Sequence, residues 1–127
     1  MLINVSNGEL FDKYSILLIK LERINDLGKL EYISSELNYM KSIIDDNFAH
    51  ILDFEPYERL FETNNSLWDI ENRIRQKEEA KQFDDEFVKL SRDIYFLNDE
   101  RHKLKRMIDD VTGSEVREQK SHKTCEG

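Results

Sequence analysis

Residues 83–113 read FDDEFVKLSRDIYFLNDERHKLKRMIDDVTG, and this stretch decides the fold. Phe87, Leu90, Ile94, Leu97, Leu104, Ile108 and Val111 recur at alternating intervals of three and four, the signature of one buried helix face. Arg101 alone breaks the apolar character of that face. Asp84 stands between Phe83 and Val88 as an N-cap enclosed by a hydrophobic staple, and Thr112-Gly113 supplies the stop. A helix over 85–112 follows.

Working outward, glycine occurs only at 8, 28, 113 and 127 and proline only at 56. Helix interiors disfavour Gly by about 1 kcal/mol and Pro by about 3 kcal/mol relative to Ala. The stretches 29–55 and 57–112 are therefore open to long helices. Before Pro56, Leu30, Ile33, Leu37, Met40, Ile44 and Ile51 predict a helix over 29–52. After it, Tyr57, Leu60, Asn64, Leu67, Glu71 and Ile74 predict one over 56–81, with Pro56 suited to its first turn. Ser6 and Glu9 have capping-box spacing and open a first helix over 7–27. Its stripe is Leu10, Tyr14, Leu17, Leu18, Leu21 and Ile24, with Asp12 and Lys20 on the polar side and Gly28 as its end. Short connections make sequential helices antiparallel neighbours. The expectation is an all-α single domain over 1–112, either an antiparallel four-helix up-down bundle or a pair of long helical hairpins meeting in a dimer. Residues 113–127 hold one aliphatic side chain, Val116, and are expected to form a flexible tail.

Charge narrows the function. The chain has 27 acidic and 19 basic residues, net −8, which argues against a nucleic-acid partner, since phosphates require a basic face. No apolar run reaches the roughly 18 residues of a membrane span. Cys125 is the sole cysteine, so neither an internal disulfide nor a multi-thiolate zinc site forms. With no sorting signal at hand, the location expected is the cytoplasm of a bacterium or a virus-infected cell.

Two polar residues, Asn64 and Glu71, interrupt the third stripe, and Arg101 interrupts the fourth. A turn near 82–83 places residues whose numbers sum to about 165 opposite one another. Asn64 then faces Arg101, Leu67 faces Asn98, and Glu71 comes within reach of Asn98. Trp68, Arg75, Tyr95 and His102 flank the same segment, and Lys20 approaches it if the first helix packs there. One reading is structural: polar groups in a seam fix register, with Glu71 or Asp99 balancing Arg101. The other is a ligand-binding pocket of Asn64, Trp68, Glu71, Arg75, Tyr95, Asn98, Arg101 and Lys20 for a small anion, where the Arg fork would grip carboxylate or phosphate. On the first reading Arg101→Met leaves stability unchanged or raises it.

Catalytic signals are weak. Glu55 and Glu58 have the E-x-x-E spacing of all-α nucleotide pyrophosphohydrolases, but the E-x-x-D that should accompany it is read as missing from the chain, which makes that assignment weak. The segment 90–109 resembles one long helix of the helical chorismate mutases in its Arg and Asp/Asn placement. Asp84, Asp85 and Glu86 suit a helix N-terminus without any metal. His50, His102 and His122 lack zinc spacing. No phosphate loop and no nucleophile motif occurs. No cofactor, metal or catalytic residue is assigned.

Three segments together carry a family resemblance. They are Gly8-Glu9, Asp12-Lys13, Ser15 to Leu17 and Ile19 to Glu22 near the start; Leu67 to Arg75; and Phe83 to Phe87 with Tyr95 to Arg101. The chain resembles, over about residues 6–109, a domain-of-unknown-function family of small helical proteins from bacteria and their viruses. Some relatives lie beside or are fused to glycosyltransferase-type proteins of surface-polysaccharide synthesis, so the resemblance implies an accessory role and no activity. The function expected is a non-enzymatic helical interaction module, a homodimer or a binder of another protein, with a polar inter-helix cluster open to a small anion. Phe11, Phe48, Phe61, Phe96 and Trp68, beside the main stripes, are its expected partner surface. A small all-α enzyme acting on an anionic substrate through Arg101, Lys20 and Glu71 is the alternative.

Overall fold

The computed structural model describes residues 1–116. Among them are four α-helices and no strand: α1 (Asn7–Arg23), α2 (Leu27–Asn47), α3 (Glu55–Glu79) and α4 (Asp85–Thr112), with a short 3-10 turn at Ala49–Asp53. Most of the expected tail, with His122 and Cys125, lies outside the described residues. No helix among those described is long and apolar enough to cross a membrane.

Local chemistry sets each boundary. Ser6 caps α1 by accepting from the Glu9 amide at 3.1 Å. Gly28 does not end α1. The helix stops at Arg23, and Asp26 caps α2 by accepting from the Lys29 amide at 3.2 Å, which puts Gly28 inside the first turn of α2. A carboxylate that satisfies a free helix-start N–H outweighs a glycine that merely tolerates a stop. Pro56 occupies the first turn of α3, where its missing N–H costs nothing. At the other end Lys81 takes a left-handed conformation, φ 54°. The Gln82 amide then reaches the Lys77 carbonyl at 2.8 Å and the Lys81 amide reaches Glu78 at 3.1 Å, a Schellman closure. Asp84 caps α4 through the Phe87 amide at 2.9 Å, and Gly113, φ 66°, terminates it.

α3 and α4 form an antiparallel hairpin. Arg59 pairs with Glu100 and Arg73 with Glu86, so facing residues sum to about 160. The hairpin is thus shifted by about one and a half turns from the register of 165, because the turn tightens around Lys81. Leu67 and Asn98 are not direct opposites. α1 lies along the hairpin and packs against all three other helices, while α2 joins the core mainly through α1 and the 3-10 turn. The core gathers Phe11, Tyr14 and Leu17 of α1 with Ile44, Leu60 and Ile108 among others. Phe11 has no exposed surface and meets Phe48 and Tyr57 edge-on at 6.3 and 5.7 Å. It is therefore a core residue and no part of an exposed aromatic surface. Burial also pushes the Tyr14 and Tyr57 hydroxyls above their usual range, so both phenols stay neutral.

The stripe readings hold along α2 and fail at both ends of the chain. Leu21 and Val111 are exposed, while Asp12 and Ser15 have no exposed surface at all. The cause is the position of α1. A helix laid in the groove of a hairpin and covered by another helix on its outer side is enclosed far beyond one apolar stripe.

Candidate functional site

The polar centre of the molecule is built on α1, one turn after another. Asp12 is the hub. Arg101 of α4 donates Nε to Asp12 Oδ1 at 2.8 Å and Nη2 to Oδ2 at 2.5 Å, a two-pronged pair. Asn64 of α3 donates Nδ2 to Asp12 Oδ1 at 3.0 Å and to Ser15 Oγ at 2.8 Å. Ser15 in turn donates to the Asp12 carbonyl at 2.7 Å. Three helices are joined at one carboxylate.

Above this hub the contacts continue toward the chain ends. Lys105 donates to Glu9 Oε2 at 2.5 Å, and the Gly8 amide donates to Asp109 Oδ1 at 2.7 Å. The Asn7 amide and side chain reach Ser114 Oγ at 3.0 Å and Thr112 Oγ1 at 2.9 Å. This approach needs a glycine. A Cβ on Gly8 would sit 2.3 Å from the Lys105 carbonyl oxygen and 2.9 Å from Asp109 Oδ1. Below the hub, Arg23 closes the series against Asp69 at 2.5 Å and Asn65 at 2.7 Å. α1 therefore runs antiparallel to α4 and parallel to α3.

Beside the hub is a cleft of about 300 Å³, lined by Glu9, Asp12, Lys13, Ile16, Leu17, Lys20, Glu36 and Arg101. Asp12 and Arg101 form its floor, and Glu36 enters from α2. Contrary to the sequence reading, an E-x-x-D does occur, at Glu9 and Asp12, but it lies ahead of Glu55 and Glu58, and Lys105 and Arg101 hold its two carboxylates. Among the described residues no group of three or more His, Cys, Asp or Glu is placed to hold a metal ion.

With this geometry in view, a family model matches residues 1–126 and bears the description "Family of unknown function (DUF6165)". The chain belongs to that family. Comparisons with curated proteins and with solved structures find no match.

Within this DUF6165 chain the residues singled out from sequence fall into two groups. Asn64 and Arg101 do converge, through Asp12 rather than face to face, and Lys20 and Arg101 line the cleft. Glu71, Arg75, Tyr95 and Asn98 are exposed and Trp68 is half-buried, all on the outer part of the hairpin. The carboxylate that receives Arg101 is Asp12, a residue read from sequence as lying on the polar side of its helix. Glu9, Ser15, Lys105 and Asp109 were likewise missed as members of the network. For Glu9 and Ser15 the signal was their place in the family pattern, in Gly8-Glu9 and in Ser15 to Leu17, whereas Lys105 and Asp109 fall outside its motifs.

Proposed function

We propose that this chain is a non-enzymatic helical interaction module that pairs with a second copy of itself through the outer half of the α3–α4 hairpin. The observation that carries this reading is the overhang. α1 ends at Arg23 beside Asp69, whereas α3 continues to Glu79, about 15 Å further at the helical rise. A helix pair without a third element buries only the strip where its two members touch. Ile70, Ile74, Phe87, Leu90 and Ile94 accordingly stay half-buried along the overhang. Phe83 and Phe87 stack edge-on at 5.3 Å, and Phe83 and Tyr95 are 58% and 63% exposed.

A second hairpin suits that face. Followed at helical spacing, the groove that α1 occupies leads from Asn64 to Trp68, Glu71 and Arg75 on α3, and from Arg101 to Asn98, Ile94 and Phe87 on α4. Its lining carries both signs, at the exposed Glu71 and Arg75 of α3. Two-fold pairing sets a surface against itself, so a lining of mixed sign is tolerated where a single sign would repel. Two overhangs meeting face to face would give four helices around one core. The network around Asp12 supports a scaffold rather than a catalyst, because both oxygens of its carboxylate already accept from Arg101 and Asn64.

Sedimentation velocity over a wide concentration range tests the reading. The chain is expected to sediment as a dimer, and Tyr95→Glu is expected to give a monomer with unchanged helical circular dichroism. Tyr39→Glu, at an equally exposed position on α2, should keep the dimer. A wild-type chain that stays monomeric at the highest concentration overturns the proposal, as does a Tyr95→Glu variant that still dimerises.

A further inference from the structure

The cleft beside Asp12 has a charge balance unlike that of the rest of the chain. Its six charged lining groups cancel formally, but they are not equivalent. Asp12 is engaged by Arg101 and Glu9 by Lys105. Among the described residues, Lys13, Lys20 and Glu36 form no ion pair. Two ammonium groups and one carboxylate therefore face the cleft with no protein partner, in a chain whose net charge is −8. An unpaired cation beside a low-dielectric wall attracts an anion more strongly than one in open water.

Position adds selectivity to charge. Lys13, Ile16, Leu17 and Lys20 recur at intervals of three and four, so they share one side of α1. The two lysines are about 10 Å apart along the helix axis, with aliphatic surface between them. Glu36 stands across from them on α2 and accepts hydrogen bonds only. The Arg101 guanidinium is fixed by the fully buried Asp12 yet keeps 31% exposure at the cleft floor. About 300 Å³ is at the small end of ligand-binding cavities.

We infer that this cleft binds a small organic anion, phosphate or carboxylate, that also carries a hydroxyl or amino group. Lys13 and Lys20 hold the anionic oxygens, Ile16 and Leu17 cover the carbon skeleton, and Glu36 accepts from the hydroxyl or amine. Carboxylate and phosphate oxygens are the shared chemistry, and the experiment separates them. The inference does not rest on dimerisation. The cleft is lined by residues of α1 and α2 with Arg101 of α4, and a change in mass does not report on it.

The test is amide-detected NMR titration of the full chain with glycerol phosphate, malate and inorganic phosphate, each compared with sodium chloride at equal ionic strength. Saturable shifts are expected at residues 13–20 and 36 with glycerol phosphate or with malate, and the stronger response identifies the class. Lys13→Gln combined with Lys20→Gln should weaken that binding tenfold or more without changing the rest of the spectrum. Glu36→Met, which removes the acceptor, should weaken glycerol phosphate or malate several-fold relative to inorganic phosphate. Shifts no larger than those of sodium chloride overturn the inference. So does binding that the double lysine variant leaves intact.

Discussion

Asp12 shows what a single side chain contributes here. It is a carboxylate with no exposed surface, and its oxygens are filled by Arg101 and Asn64. Removing Arg101 alone would leave that carboxylate buried with only an amide to answer it. Arg101→Met is therefore expected to cost about 3–5 kcal/mol in chemical denaturation, against the neutral outcome anticipated from sequence. The double variant Asp12→Leu/Arg101→Met should recover most of that loss, because no unpaired charge remains. A double variant as unstable as the single one would show that the pair contributes by some other route. The asymmetry between the two partners also explains what could be read in advance. Asn64 and Arg101 stood out because each interrupts an apolar alternation. Asp12 did not, since charged residues on α1 look alike until the hairpin groove that receives the helix is known.

Among the helices, the α3–α4 turn has its own electrostatic lock. Lys77 is only 2% exposed, and its ammonium lies 3.0 and 2.9 Å from the two oxygens of Asp84 and 3.4 Å from Glu86. The hydrogen bond from Lys77 and the one from the Phe87 amide hold the Asp84 carboxyl below its usual range. The Arg73 guanidinium, assisted by Lys77, does the same for Glu86. Carboxylates with depressed values stabilise the fold fully above their unfolded values, near pH 4, and lose that contribution as the pH falls through the folded ones. Amide protection at residues 83–88, relative to the unfolded exchange rate at each pH, should accordingly fall below about pH 4, before the core amides of α1 respond. In Lys77→Met the acid dependence at those amides should flatten. An equal dependence in both proteins would assign the effect elsewhere. The Asp84 cap was legible from Phe-Asp-Asp ahead of an apolar alternation. The burial of Lys77 was not, because nothing local separates a lysine folded under a turn from one in water.

Across the whole molecule, the segments nearest the two ends of the described chain are clasped together. Residues 7 and 8 bond to 109, 112 and 114, and the missing side chain of Gly8 makes the approach possible. The close contact involves backbone, which cannot swing aside. Gly8→Ala should thus force α1 away from α4, at a cost of about 3 kcal/mol in thermal or chemical unfolding, with loss of protection at the Gly8 and Glu9 amides. A substitution that leaves both unchanged would mean the helices part at no cost. Helix content and the two long partners of the hairpin could be read from periodicity, which is a local property. The seating of α1 could not, since a glycine early in a helix carries no mark of a lysine carbonyl almost a hundred positions later.

That clasp bears on how the chain comes to be folded during its synthesis. The hydrogen bond between Asp12 and Arg101 spans 89 positions, so α1 depends on a helix that leaves the ribosome well after it. Closing so long a loop is entropically costly and has to precede any reward. Until α4 emerges, the carboxylate destined for the interior lacks the guanidinium that balances it.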